Sequence, residues 1–215
     1  MRLVSFDLCP FVQRSTIALN EKDLPHTIEY IDLAAKPAWF LEISPHGRVP
    51  LLQVDDTVLF ESLAILEYLD ETHGDRLHPA DPLARARDRA WFPVVDAFFA
   101  SGYQLCIAPD EDRFATQLAA SRQHMAKLED QIQGPLWRGD AFTLMDAVAY
   151  PGLQRLRWLD RAFGGLGLFD ATPRVDRWEA TLSARPSIQR SLLPGMEAKF
   201  LGFLQQSPVY RGRMG

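Results

Sequence analysis

The chain has 215 residues, 47% of them hydrophobic and 24% charged, with a formal net charge of −5. That profile fits one large or two modest globular domains and disfavours nucleic acid as a general partner. No stretch approaches the roughly 18 apolar residues of a membrane span, and Asp7 interrupts the N-terminus too early for a secretory core. Two cysteines give no disulfide framework, so a reducing, cytoplasmic setting is expected.

Leu3-Val4-Ser5-Phe6 reads as a buried strand, followed by a first helix from Pro10 through Asn20. Thr27 to Ile31 alternates and is rich in β-branched and aromatic residues, the pattern of a second strand. A short helix is expected over Pro37 to Ile43, then a turn-rich loop, Ser44-Pro45-His46-Gly47-Arg48. Val49 to Val54 and Thr57 to Phe60 read as a hairpin turning at Asp55-Asp56, and Ser62 to Thr72 as a helix with Ser62 as its cap. The Gly-, Pro-, Asp- and His-rich segment from His73 to Pro82 reads as a linker. Beyond it helical patterns run over residues 84–106, 113–133, 144–161, 173–184 and 194–205, with no convincing strand. The expected organisation is α/β followed by all-α, divided as residues 1–76 and 83–215.

Cys9 carries the most informative chemistry. Pro10 suits the first helical position, which makes Cys9 the N-cap. Unpaired N–H groups and the positive end of the helix dipole then favour its thiolate, and such placement can lower a thiol pKa from roughly 8.5 to about 3.5–7.5. The bland alternative is an inert, buried cysteine. Val12 stands where a Cys-x-x-Cys pair would put its second thiol, so resolving a mixed disulfide on Cys9 needs an external thiol, for which glutathione is the abundant candidate. Cys106, in an apolar helical stretch, reads as structural. The five histidines form no i, i+4 pair or Cys/His cluster, so no metal site is expected. Gly164-Gly165-Leu166-Gly167 lacks the strand-turn-helix context of a phosphate loop and reads as a connection. Thr143 and Asp146 form a capping box with Phe142 as a staple, so Asp146 reads as structural.

The motif Cys9-Pro10-Phe11, the stretch Lys36 to Phe40, the run Ser44 to Pro50, Glu61-Ser62 and the far segment Leu204-Gln205-Gln206-Ser207-Pro208 resemble the glutathione transferases, specifically the omega-like, cysteine-type class. The resemblance covers the whole chain. It implies a thioredoxin-like N-terminal domain with a mixed four-stranded sheet, an all-helical C-terminal domain and a homodimer. It also implies glutathione as co-substrate, with Cys9 catalytic and Phe11 beside it. Pro50 would be cis, exposing the backbone of Val49 to the cysteinyl part of glutathione; read without the resemblance, Pro50 is an edge-strand proline. Ser62 would receive the γ-glutamyl carboxylate at a helix N-terminus, Glu61 would face the γ-glutamyl ammonium, and Lys36 would meet the glycine carboxylate. Taken alone, Ser62 is an ordinary cap and Lys36 a surface lysine.

The acceptor substrate would lie by Tyr103 and Arg155. Gly152 stands where relatives carry an aromatic residue, which suggests a more open pocket; Trp91, Phe98, Phe99 and Trp158 read as helix packing. The expected activity is glutathione-dependent thiol transfer or reduction: deglutathionylation, dehydroascorbate-type reduction, or removal of glutathione from thioether adducts. The alternatives are a conventional conjugating transferase and a redox-regulated binding protein without activity.

Overall fold

The apolar run Leu3-Val4 is fully buried, and it lies in β1 (Arg2–Ser5), an inner strand of a four-stranded sheet. The structure is a computed structural model describing residues 1–214. On one side β2 (Thr27–Tyr30) runs parallel to β1, with Leu3 opposite Ile28. On the other, β3 (Leu51–Val54) runs antiparallel, with Leu3 opposite Leu52, and β4 (Thr57–Phe60) forms the edge, giving the order β2-β1-β3-β4. The hairpin turns at Asp55, whose φ of 50° lies in the left-handed region, where Asp is tolerated better than most residues. The expected strand over 49–54 is shorter: the ladder begins at Leu51, after Pro50, which has no N–H to give it.

Three helices accompany the sheet: α1 (Pro10–Glu21), α2 (Ala38–Ile43) and α3 (Ser62–Thr72). The segment after α3 is held in place by its polar groups. Asp70, 2% exposed, accepts from the N–H of Leu77 (2.6 Å) and of His78 (3.2 Å), while Lys22 Nζ donates to the carbonyls of His73 and Asp75, each at 2.7 Å.

Among the described residues, the elements that follow are helices, with one isolated bridge between Leu136 and Gly139. The expected helix over 84–106 is two: α4 (Pro82–Arg89), capped by Asp81, and α5 (Phe92–Cys106). Pro93 explains the break, since its missing N–H and its ring suit only the first turn of a new helix. Then come α6 (Glu111–Glu129), α7 (Leu144–Ala162), α8 (Pro173–Ser183), α9 (Pro186–Gln189), α10 (Met196–Leu204) and α11 (Pro208–Met214). Neither α9 nor α11 was expected; both begin at a proline, and Ser207-Pro208 is the cap-then-proline signature of a helix start. The middle of the helical part is α7, whose buried face includes Leu144, Val148, Tyr150, Leu153 and Leu159. Its start is fixed as expected. One oxygen of Asp146 accepts from the Thr143 N–H (2.7 Å) and hydroxyl (2.6 Å), the other from the Trp137 N–H (3.0 Å) and Trp178 Nε1 (2.6 Å).

Candidate active site

Cys9 caps α1 with extended backbone (φ −71°, ψ 115°), its N–H bonded to the Phe6 carbonyl at 3.0 Å and its own carbonyl to the Gln13 N–H at 3.2 Å. The half-buried sulfur lies 4.0 Å from the carbonyl oxygen of Val49. Helix placement alone predicts a lowered pKa, and the opposite holds. Burial pushes the Cys9 thiol above its ordinary value, outweighing the N–H groups of Val12 and Phe11 and the guanidinium groups of Arg155 and Arg14, which pull it down.

A cleft of about 160 Å³ is lined by five of the expected residues, Phe11, Val49, Pro50, Glu61 and Ser62; Cys9 is outside the lining and adjoins it through the Val49 carbonyl. Pro50 is cis, as expected. At α3 the expected cap moves by one residue. Glu61 is the N-cap, with φ 66° and ψ 117°, and Ser62, 6% exposed, is the first helical residue. A non-glycine residue held there costs about 1–3 kcal/mol and persists only where its surroundings fix it. Lys36 is exposed, its ammonium beside Gly47 on the loop bordering the cleft. Ser44, His46, Arg48 and Phe60 complete the lining and were missed as site residues. The loop is shaped by the Ser44 hydroxyl, which accepts from the Arg48 N–H (3.0 Å) and donates to the Arg48 carbonyl (3.2 Å). Gly47 supplies the positive φ (58°) that the turn requires. Position was the available signal, because these residues directly precede Val49-Pro50.

Behind Cys9, α1 and the helical part together bring two guanidinium groups. Arg14, fully buried, donates from Nε to the Val148 carbonyl (2.9 Å) and from Nη2 to Asp96 (2.8 Å). It lies over the rings of Phe11 and Phe99. Arg155 turns inward, donating to Gln13 Oε1 (2.6 Å), the Pro151 carbonyl (2.8 Å) and the Leu8 carbonyl (3.0 Å). Tyr103 is 55% exposed and stacks on Phe203 of α10, ring centres 6.2 Å apart. It lies one turn beyond Phe99 on α5, so both residues share a face. Gly152 does not open a pocket. A Cβ there would stand 2.0 Å from Phe99 Cε1, so the ring of Phe99 occupies the space that the missing side chain leaves. Cys106 is buried, donates to the Gly102 carbonyl (3.4 Å) and is pushed by burial to about 12. Among the described residues no group of His, Cys, Asp and Glu is arranged to hold a metal ion, and no helix is long and apolar enough to cross a membrane.

Residues 3–77 match the family model for the glutathione S-transferase N-terminal domain. Over 191 residues the chain is 30% identical to glutathione S-transferase omega-1 of Mus musculus, an alignment covering 86% of this chain and 78% of that one. The chain belongs to the glutathione S-transferase family. It is 30% identical over 209 residues to the pyrimidodiazepine synthase of Drosophila melanogaster, covering 94% of this chain and 84% of that one. Its fold superposes on the crystal structure of glutathione transferase Omega 3C from Trametes versicolor with a TM-score of 0.82 at 27% identity, covering 90% and 89% of the two chains. This glutathione transferase is therefore omega-like. Its mixed sheet is the thioredoxin-like N-terminal part of the family fold, and its helices are the C-terminal part.

Proposed function

We propose that this glutathione transferase is a thiol transferase in which Cys9 carries glutathione as a mixed disulfide. The observation that carries this is the position of the Cys9 sulfur, 4.0 Å from the Val49 carbonyl at the edge of the cleft that holds Glu61 and Ser62, with Cys106 buried and bonded elsewhere. In the first step the Cys9 thiolate attacks the glutathionyl sulfur of a mixed disulfide. The old S–S bond breaks, the acceptor leaves as a thiolate that takes a proton, and a Cys9–glutathione disulfide forms. A second glutathione, as thiolate, attacks the glutathionyl sulfur, releasing oxidised glutathione and returning Cys9. The acceptor sulfur ends as a thiol and the one free glutathione consumed is oxidised, because the glutathionyl unit of the starting mixed disulfide is already at the disulfide level. Dehydroascorbate-type reduction and removal of glutathione from thioether adducts use the same thiol.

In this reading the Val49 backbone pairs with the cysteinyl unit and Phe11 walls it. Ser62 and the N-terminus of α3 take the γ-glutamyl carboxylate, Glu61 faces the ammonium, and Lys36 reaches the glycine carboxylate from the border of the cleft. Tyr103 serves the acceptor side. The division into a glutathione-binding unit (1–76) and an acceptor-side helical unit (83–215) belongs to the same reading, as do a cytoplasmic setting and a homodimer. Conventional conjugation has less support. Ser5 is buried and its hydroxyl donates to the Phe6 carbonyl.

The test is intact mass after incubation with oxidised glutathione. One glutathionyl group is expected on the wild-type chain and none on Cys9→Ser, with thiol-transferase turnover lost in parallel. An adduct mapped to Cys106 would defeat the assignment.

A further inference from the structure

Two guanidinium groups stand behind Cys9, and they are not equivalent. Arg14 has its charge offset by Asp96 at 2.8 Å. Arg155, half-buried on α7, has only neutral partners: the Gln13 amide oxygen and the carbonyls of Pro151 and Leu8. Among the described residues no carboxylate pairs with it, and its charge acts on Cys9 ahead of that of Arg14. A poorly solvated cation with neutral acceptors stabilises any anion formed next to it. The Leu8 bond adds a constraint, because it fixes the carbonyl of the peptide joining Leu8 to Cys9.

The other ionisable groups around this pair do not supply that anion. Tyr150 on α7 and Cys106 on α5 both face Arg155, and burial raises both, keeping them protonated at neutral pH. Asp7, two residues before Cys9, is ion-paired with Lys199 of α10. Glu61 and Arg48 line the cleft. Arg155 itself is lowered by burial only to about 10, so it stays charged.

We propose that Arg155 is a positioning residue for Cys9: it anchors the Leu8 carbonyl at the base of the cysteine's loop and supplies the fixed positive charge that the thiolate meets. The proposal rests on Cys9 being the reactive thiol. It gives Arg155 a different task from acceptor binding, since its hydrogen bonds all point into the protein. The forked guanidinium reaches three acceptors on two helices and a loop; an ammonium keeps the charge near Cys9 with fewer of those bonds, so Arg155→Lys tests whether the charge is the larger part of the effect.

The 215-residue chain tests this without glutathione. Alkylation of Cys9 by iodoacetamide, followed at that site by mass spectrometry from about pH 6 to 10, is compared in wild type, Arg155→Met and Arg155→Lys, with thermal unfolding as the folding control. Arg155→Met is expected to slow Cys9 alkylation at pH 7 about tenfold and to move the pH profile upward by about one unit. Arg155→Lys, which keeps the charge, is expected to stay within about threefold of wild type. A folded Arg155→Met whose profile superimposes on wild type overturns the proposal, as does an Arg155→Lys as slow as Arg155→Met. Should Arg155→Met not fold, Arg155→Gln takes its place in the same comparison. Failure of wild-type Cys9 to accept a glutathionyl group would instead sink the thiol-transferase reading, and that is measured separately.

Discussion

Gly152 and Phe99 share one space: a Cβ on Gly152 would stand 2.0 Å from Phe99 Cε1 and 2.3 Å from Cδ1. Phe99 in turn packs on Phe11, ring centres 5.7 Å apart, and under the Arg14 guanidinium. The absent side chain on α7 therefore sets the position of a ring that backs Phe11 in the wall of the cleft. Gly152→Ala is expected to destabilise the protein by about 1–3 kcal/mol through overpacking, read as a lower urea midpoint with unchanged slope. Adding Phe99→Leu should recover part of the loss, because the two residues contact each other and their effects do not add.

Asp146 satisfies four buried donors from three places in the helical part, at Thr143, Trp137 and Trp178. Asp146→Ala leaves them unpaired and is expected to cost roughly 3 kcal/mol or more, since each unmet buried group costs about 1–3 kcal/mol. Asp146→Asn keeps one acceptor oxygen and should lose less. Urea unfolding ranks the two, and equal stability of Asp146→Ala and wild type would contradict the structural role.

Glu67 supplies an acid-sensitive contact at the segment joining sheet and helices. Burial pushes its carboxyl up, but hydrogen bonds from His78 (2.9 Å) and Arg89 (2.7 Å) outweigh that and hold it at about 2. A lowered carboxyl stabilises the fold above the ordinary carboxylate range and loses that contribution as pH falls toward about 2. Unfolding free energy measured between about pH 5 and 2 should therefore fall less steeply in Glu67→Gln than in wild type.

Burial raises Cys9 and so favours its thiol over its thiolate. Its alkylation rate is expected to climb about tenfold per pH unit below the pKa and to keep rising past about pH 8.5. A plateau already reached at pH 7 would show a lowered thiol and contradict the burial argument.

Ser62 and Lys36 are expected to separate kinetically. Ser62→Ala, buried in the cleft, should raise the KM for glutathione about tenfold or more, the scale of a lost hydrogen bond to a charged group, with kcat little changed. Lys36→Ala, exposed at the border, should raise it about two- to fivefold, as solvent-screened charges do. Steady-state kinetics over glutathione concentration checks both.

Elements whose signals are local were legible from the residues alone. Pro10 after Cys9, the hairpin turn at Asp55-Asp56, the strand pattern at Thr27 to Tyr30 and the Thr143–Asp146 box each act within a few residues, through φ, capping or side-chain period, and each element lies where those residues place it. Tertiary structure decided what depends on distant neighbours. Phe99 fills the space at Gly152 because α5 meets α7 there, and a glycine in sequence does not say what approaches it. Arg155 faces inward because Gln13 and the Leu8 carbonyl, more than 140 positions earlier, accept its hydrogen bonds. The same packing overrode the helix start at Cys9. Unpaired N–H groups favour a thiolate locally, but desolvation depends on everything brought around the sulfur, and at Cys9 desolvation is the larger effect.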